Sequence, residues 1–186
     1  MRIVVMGLDQ HRAQITAESL DTETGDLTRR RIRPADRMGF RRFLGEFRGK
    51  QVEATLEATT GWRFVVEELQ AVHVAHLAEP AETAGLRGPM KRAKSDRADA
   101  RHLRELLQQS RLPESWIPPP HILELRSKVI LRHTLVEQRS EWQQRMQAHL
   151  YHHGAPQRGG LLSAENRAWL EALELPEAAR IHGPKL

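Results

Sequence analysis

The sequence predicts an α/β fold, in which a mixed five-stranded sheet carries helices on its faces and is followed by a long coiled-coil-type helix. Two observations support this prediction. Three strand-like segments open the chain, and helical and strand-like segments then alternate as far as Pro80. Further along, the stretch from His121 to His153 contains neither proline nor glycine and carries apolar residues at helical spacing.

The first three elements are predicted strands. Residues 2–9, "RIVVMGLD", form a short run rich in β-branched residues, which is typical of a strand buried on both faces. "RAQITAESLD" and "LTRRRIR" come next and are separated by Thr24, Gly25 and Asp26. Two strand-like segments around a glycine-containing turn are typical of a β-hairpin.

The next four elements alternate between helix and strand. Residues 36–49, "DRMGFRRFLGEFRG", place apolar side chains at helical spacing, and residues 51–58, "QVEATLEA", alternate apolar and polar side chains like a strand. Residues 61–72 form an amphipathic helical pattern, and residues 73–79 form a fifth strand that ends at Pro80. Strands that alternate with helices predict a sheet covered by helices.

A basic loop and an amphipathic helix follow the fifth strand. Residues 80–88, "PAETAGLRG", are predicted to be a short helix or a loop, and residues 88–94, "GPMKRAK", a basic loop. "AKSDRADARHLRELL" then predicts a helix from about Ser95 to Gln109. Its leucines anchor the helix to the core, while two aspartates lie in its first turn.

We expect three parts along the chain. They are an α/β domain over residues 1–112, a proline-rich joint and long helix over residues 113–154, and a linker with a short helix over residues 155–186. The apolar residues of the long helix fall on one seam, which is typical of a helix that pairs with another helix. The seam residues are Ile122, Leu125, Val129, Val136, Met146 and Leu150.

The charge distribution favours a polyanionic partner. The formal net charge is +5, and the basic residues are concentrated around residues 29–33 and around the helix of residues 95–109. Each phosphate that a cationic side chain neutralises releases condensed counterions, so such clusters are typical of nucleic-acid-binding proteins. The candidates for backbone contacts to DNA or RNA are Lys91, Arg92, Lys94, Arg97 and Arg101.

The composition excludes several classes of protein. The sequence has no cysteine, which excludes disulfide scaffolds, thiolate zinc sites and cysteine nucleophiles. Its apolar runs are far shorter than the roughly 18 residues that a membrane span needs, so no transmembrane helix is expected. The first residues lack the pattern of a secretory signal. We therefore expect a cytoplasmic protein.

Four acidic residues are candidates for one site. Asp9 closes the first predicted strand and Glu57 lies near the end of the fourth, where an open α/β sheet presents its ligand crevice. Asp96 and Asp99 are three residues apart and share one side of a helix. A cluster of these carboxylates needs a cation to offset their repulsion. Magnesium is the expected ion because it prefers oxygen ligands, and it would act on a phosphodiester.

Each acid also has a purely structural interpretation. Asp96 and Asp99 in the first turn of a helix are favourable to the helix dipole without any metal. Asp9 is a common kind of turn residue after a strand, and Glu57 is a plausible polar neighbour of the threonines that follow it. The spacing alone leaves both interpretations open.

Several motifs resemble, in the same order, those of a known family. They are "GLDQH" with Asp9, "LEATTGWRFVVEEL" with Glu57, "LAEPAETAGLRG", "AKSDRADARHLRELL" with Asp96 and Asp99, "LPESWIPP" and "HHG". Over roughly residues 3 to 154, the sequence resembles the N-terminal half of the DEDD transposases of the IS110 insertion-sequence family.

The resemblance implies an RNase H-like fold related to the RuvC Holliday-junction resolvases. It implies that Asp9, Glu57, Asp96 and Asp99 are catalytic residues that bind Mg²⁺ or Mn²⁺. The implied activity is DNA strand cleavage and exchange, guided in some members by a structured bridge RNA. The long helix resembles the segment through which the family forms oligomers, so a bacterial homo-oligomer is expected.

One departure from the family pattern affects the expected function. Family members continue into a C-terminal domain with a serine nucleophile, which nothing after Gly154 resembles; Ser163 is predicted to be a helix cap. We therefore expect a transposase that is incomplete as this chain alone. The alternatives are a self-sufficient RuvC-like junction nuclease and a truncated nucleic-acid-binding or assembly module without catalysis.

Overall fold

The computed structural model of the chain describes residues 3–87 and 95–176. They belong to two compact units, which divide between Ile117 and Pro118. In chain order the elements of the first unit are β1 (Ile3–Gln10), β2 (Ile15–Asp21), β3 (Leu27–Ile32), α1 (Arg37–Leu44), a 3₁₀ turn (Gly45–Phe47), β4 (Gln51–Glu57), α2 (Trp62–Gln70), β5 (Val74–Ala78), α3 (Pro80–Gly85) and α4 (Asp96–Gln108).

The five strands form one mixed sheet in the order β3-β2-β1-β4-β5. The first three strands are antiparallel, as expected for consecutive segments joined by short turns. β4 and β5 run parallel to β1, because each is reached through a helical connection. The predicted mixed five-stranded sheet with flanking helices is confirmed.

One face of the sheet contains the hydrophobic core. Met6 and Leu8 of β1 are fully buried there, together with Leu56 of β4. Phe40 of α1 and Leu69 of α2 cover them and are also fully buried. Because side chains alternate along a strand, the residues between these core positions point to the other face of the sheet.

Helix α4 packs on that second face at very short range. A Cβ atom at Gly7 of β1 would lie 2.0 Å from the carbonyl oxygen of Ala100 and 2.6 Å from the amide nitrogen of Arg104. Both are backbone atoms of α4, so only a residue without a side chain permits this packing. The glycine therefore sets the distance between α4 and the strand that carries Asp9.

A buried ion pair joins α4 to β2. Nε of Arg104 donates a hydrogen bond of 3.1 Å to Glu18, and these two side chains are 6% and 1% exposed. The second carboxylate oxygen of Glu18 accepts a bond of 2.6 Å from Arg29 on β3. Removing one member of such a pair leaves a buried charge without its partner, which strongly destabilises a protein. Glu18 therefore holds α4 against the sheet.

The register of the sheet determines where the strand-end acids lie. Gly7 of β1 is paired with Thr55 of β4, and α4 packs on this face. Asp9 and Glu57 each follow two residues later, so alternation brings both to the same face, at the carboxyl ends of neighbouring parallel strands.

The segment after α4 continues the sheet at its β5 edge. The amide of Glu79 donates to the carbonyl of Pro113 at 2.8 Å, and the amide of Ser115 donates to the carbonyl of Leu77 at 2.7 Å. Ile117 then packs against the hydrophobic core. The compact first unit accordingly extends to Ile117.

The second unit contains the long helix α5 (Pro120–His152) and the short helix α6 (Ala164–Glu171). The side chain of Ser163 caps α6 by accepting a bond from the amide of Asn166, as predicted. Most apolar residues of α5 are exposed, including Leu125 and Val129 at 57% and 58%. Within the described residues, no helix has both the length and the apolar character of a membrane span.

Candidate metal centre

The four predicted acids gather where β1, β4 and α4 meet. Asp9, Glu57 and Asp99 line one open cleft of about 1430 Å³. Asp96 lies beside Asp9, and its Oδ1 atom is 3.6 Å from Nε2 of His11, which also lines the cleft. Three elements that are distant in sequence thus bring the predicted carboxylates together.

Burial disfavours the ionised form of the Asp9 carboxylate. Its side chain is 14% exposed, and its Oδ2 atom lies 3.0 Å from Nε2 of His11. Burial raises its pKa from 3.8 to about 6; the positive charge of protonated His11 opposes the rise, while Asp99 and Asp96 add to it. An ionised Asp9 is therefore costly in this protein unless a cation is near it.

Asp96 is oriented by a side chain from the turn between β1 and β2. Nε2 of Gln14 donates a hydrogen bond of 2.6 Å to Oδ2 of Asp96. The amide oxygen of Gln14 in turn accepts a bond of 2.9 Å from Nε of Arg33. Because Oδ2 is engaged in this way, Oδ1 is the oxygen that faces His11 and the cleft.

The other two acids share a cation that the chain itself supplies. A guanidinium nitrogen of Arg87 donates a short hydrogen bond to Asp99, whose side chain is only 10% exposed. The other terminal nitrogen of the same group lies 3.9 Å from Glu57. Arg87 therefore offsets negative charge on the side of the cluster formed by β4 and the inner face of α4.

The donor atoms on the Asp9 side fit a divalent cation. One ligand atom each from Asp9, His11 and Asp96 lies within 4.8 Å of the other two. Oδ2 of Asp9 is a buried oxygen, and a bound cation would stabilise its negative charge. Carboxylate oxygens and an imidazole nitrogen are common ligands of Mn²⁺, and Mg²⁺ is bound through one or two carboxylates.

The sequence matches a family model of the IS110-type DEDD transposases over residues 6–154. The chain belongs to this transposase family. The match spans all four acids and the whole of α5, and the mixed sheet with its flanking helices agrees with the RNase H-like fold of the family. No curated protein matches the sequence.

The cleft of this transposase-family chain is lined by basic as well as acidic residues. Arg97 and Arg101, two of the predicted nucleic-acid contacts, line it, and Arg101 also forms an ion pair of 2.7 Å with Glu105. Arg12 and Arg29 line it as well, although neither was a sequence-based candidate for this site. The remaining predicted contacts, which lie outside the described residues, are Lys91, Arg92 and Lys94.

Three residues that contact the acids were not predicted from the sequence; they are His11, Gln14 and Arg87. His11 follows Asp9 by two positions, and that spacing at a strand end was a usable signal because alternate residues share a side. Gln14 and Arg87 had no comparable local signal. Their contacts to Asp96 and Asp99 span 82 and 12 positions of sequence, so only the folded chain reveals them.

Proposed function

We propose that this chain supplies the cation-dependent phosphoryl-transfer centre of an IS110-type transposase that cleaves and exchanges DNA strands. One observation carries the proposal. Asp9, Glu57 and Asp99 line a single cleft together with four arginines besides Arg87, and Asp96 adjoins it. Phosphodiester chemistry needs acidic residues that bind a divalent cation and basic residues that bind the phosphate backbone. This cleft contains both kinds of residue.

The roles of the residues follow from their positions. Asp9 and Asp96 bind the first divalent cation, Gln14 orients Asp96, and Glu57 and Asp99 complete the catalytic quartet. When bound, the cation stabilises negative charge that develops on the phosphate and activates the attacking hydroxyl. Because the carboxylates are anchored to a sheet and a packed helix, they enter the reaction already positioned.

The basic residues of the cleft hold the nucleic acid. Arg97 and Arg101 bind phosphates next to the acids, and Lys91, Arg92 and Lys94 are proposed as further phosphate contacts from their sequence alone. Such contacts position the backbone without reading its sequence. A structured guide RNA, which the family resemblance implies, is proposed to supply the sequence recognition, and it would use the same kind of phosphate contact.

We also propose that α5 pairs with α5 of a second copy. Its exposed apolar residues include Leu125, Val129 and Val136 of the predicted seam, and a long helix with an exposed apolar seam is stabilised by a partner helix. Light scattering of the full chain tests this, with Val129→Asp expected to lower the measured mass to that of one chain. Ser163 is a helix cap and receives no nucleophilic role in this proposal.

The proposal is tested with labelled branched DNA and the full chain. Binding is expected to weaken steeply with salt, because several phosphates are neutralised. Binding or cleavage that depends on Mg²⁺ is expected to disappear in the double variant Asp96→Asn and Asp99→Asn. Clean Mg²⁺-dependent cleavage by the chain alone, abolished in Asp9→Asn, would instead support the self-sufficient junction nuclease.

A second outcome would contradict the proposal. Tight binding that is the same with and without Mg²⁺, and unchanged when Asp96 and Asp99 become asparagine, indicates a passive nucleic-acid-binding module. The matched control is Asp26→Asn in the exposed β-hairpin turn, which makes the same chemical change away from the cleft. This control is expected to behave like the unmodified chain in every measurement.

A further inference from the structure

His11 occupies a position between two of the proposed ligands. Its Nε2 atom lies 3.0 Å from Oδ2 of Asp9 and 3.6 Å from Oδ1 of Asp96. The side chain is 54% exposed, so it can reach the cleft without being part of the core. The three side chains come from the end of β1 and the start of α4, and their donor atoms share one small volume.

The turn between β1 and β2 places the backbone of His11 beside the two acids. Its amide donates a hydrogen bond of 2.9 Å to the carbonyl of Gln14, which closes this turn. The side chain of Gln14 donates a hydrogen bond of 2.6 Å to Asp96, so the same turn carries both the imidazole and the side chain that binds one of the carboxylates. Asp9 and His11 both line the cleft.

The alternative is an ordinary surface ion pair between a protonated histidine and an acid. In such a pair one N–H is directed at one carboxylate oxygen. An exposed pair of this kind contributes little to the stability of the fold. Here Nε2 lies 3.0 Å from Oδ2 of Asp9 and 3.6 Å from Oδ1 of Asp96, so one nitrogen faces two carboxylates. The ligand atoms of Asp9, His11 and Asp96 therefore surround one common point, which is the arrangement that a shared cation needs.

A nitrogen at this point changes which cation the site prefers. Mg²⁺ is bound through carboxylates and retained water molecules, and it gains little from imidazole. Imidazole suits transition metals, whose affinity for a mixed nitrogen and oxygen site rises from Mn²⁺ to Co²⁺. Removing the imidazole should therefore weaken Co²⁺ and Mn²⁺ binding much more than Mg²⁺ binding.

We propose that His11 is a ligand of the cation that Asp9 and Asp96 bind, and that its nitrogen makes this site favour Co²⁺ and Mn²⁺ over Mg²⁺. The inference rests on the proposed function, since it takes for granted that Asp9 and Asp96 hold a divalent cation. The inference adds His11 as a ligand beside the four acids. It also predicts that the site binds Co²⁺ and Mn²⁺ more tightly than Mg²⁺, a preference that carboxylates alone would not produce.

Calorimetric titration of the full chain with each ion separately tests the ranking. The unmodified chain is expected to bind Co²⁺ and Mn²⁺ at least about tenfold more tightly than Mg²⁺. His11→Ala is expected to lose about 10- to 100-fold in affinity for Co²⁺ and Mn²⁺, and no more than about threefold for Mg²⁺. His121→Ala, at an exposed position of α5, is the matched control and is expected to change none of the three affinities.

A spectroscopic measurement keeps the inference testable if the variant is unstable. With ¹⁵N-labelled histidine, electron spin-echo spectra of Mn²⁺ bound to the unmodified chain are expected to contain a nitrogen coupling. The coupling is expected to persist in His121→Ala and to be absent in His11→Ala. A spectrum without nitrogen coupling, or equal losses for all three ions in His11→Ala, would overturn the role of His11 as a ligand.

The failure of this inference can be told apart from the failure of the proposed cation site. If Asp9→Asn abolishes binding of every ion while His11→Ala changes none, the cation site stands and His11 is not its ligand. If the unmodified chain binds none of the ions, the proposed cation site itself fails and the inference fails with it.

Discussion

The two sides of the acidic cluster are compensated in different ways. On the Asp9 side, Asp9 and Asp96 face an imidazole, and the pKa of Asp9 is raised to about 6 mainly by burial. On the Glu57 side, Glu57 and Asp99 face the permanently charged guanidinium of Arg87. Among the described residues, the Asp9 side therefore has a titratable imidazole as its counter-charge, while the Glu57 side has a guanidinium.

This difference indicates an order of cation binding. A first divalent ion is expected at Asp9 and Asp96, where it relieves an existing electrostatic cost. A second ion near Glu57 and Asp99 would have to compete with Arg87. The four acids are chemically alike in the sequence, but the fold makes them unequal.

The largest effect is expected from comparing one acid on each side. Asp9→Asn should weaken Mn²⁺ binding by more than about 100-fold, because it removes a ligand and its charge. Asp99→Asn should weaken it by about tenfold at most, because Asp99 is already paired with Arg87. Calorimetric titration measures both. Equal losses of Mn²⁺ affinity in the two variants would mean that the Asp9 side and the Glu57 side of the cluster do not differ in cation binding.

A pH effect of comparable size is expected for Asp9 in metal-free buffer. Its folded-state pKa of about 6 lies above the ordinary value of 3.8, so the folded chain binds more protons than the unfolded chain between these values. The free energy of unfolding should therefore fall as pH rises through this window, by about 2–3 kcal/mol for this group.

Urea unfolding with a chelator at pH 4 and at pH 6 measures that change. The comparison between the unmodified chain and Asp9→Asn isolates the contribution of this residue from those of other carboxylates. The same pH slope in both proteins would show that the pKa of Asp9 is not raised in the folded chain.

A smaller effect on stability is expected at Gly7, which sets the distance between α4 and β1. Gly7→Ala places a Cβ against two backbone atoms of α4 and should cost about 1–3 kcal/mol in the free energy of unfolding. The shift of α4 should also weaken Mn²⁺ binding, since Asp96 moves away from Asp9.

Gly45→Ala is the matched control for this substitution. Gly45 has φ −59° and ψ −22°, and a Cβ there would meet nothing within 4 Å. The control is therefore expected to leave stability unchanged or slightly raised, by up to about 1 kcal/mol. Chemical unfolding measures the free energy of unfolding of both variants. Equal losses in the two would show that Gly7 is not specifically required for the close packing of α4.

The smallest effect is expected at Arg87 and has the opposite sign. Arg87→Gln removes the counter-charge of Glu57 and Asp99, so the affinity for divalent cations should rise, by about tenfold. Arg111→Gln, an exposed arginine outside the cleft, is the control. Calorimetric titration with Mn²⁺ checks both variants, and a loss of affinity in Arg87→Gln would show that Arg87 supports cation binding.

Element boundaries were predictable because they depend on local pattern. The fourth strand was predicted over residues 51–58 and forms over Gln51–Glu57, and the long helix was predicted over residues 121–153 and forms over Pro120–His152. Strand alternation and the absence of helix breakers are both visible within a short window of sequence.

The candidate site was predictable only in part. The position of Asp9 and Glu57 at strand ends, and the pairing of Asp96 with Asp99 on one helix turn, could be deduced from spacing. Their roles as ligands remain predictions. Gln14 and Arg87 were not found, because their contacts depend on how a turn and a helix end pack against α4.

The sequence by itself determined the order of elements, the acids at their ends and the family to which the chain belongs. The tertiary structure alone decided which acid faces a histidine and which faces an arginine. The physical reason is that periodicity and motifs describe only residues that are close together in the sequence. The electrostatic state of a carboxylate depends on burial and on every charge within a few ångströms, and here those charges come from His11, Arg87 and α4, which the close approach of α4 to Gly7 brings together.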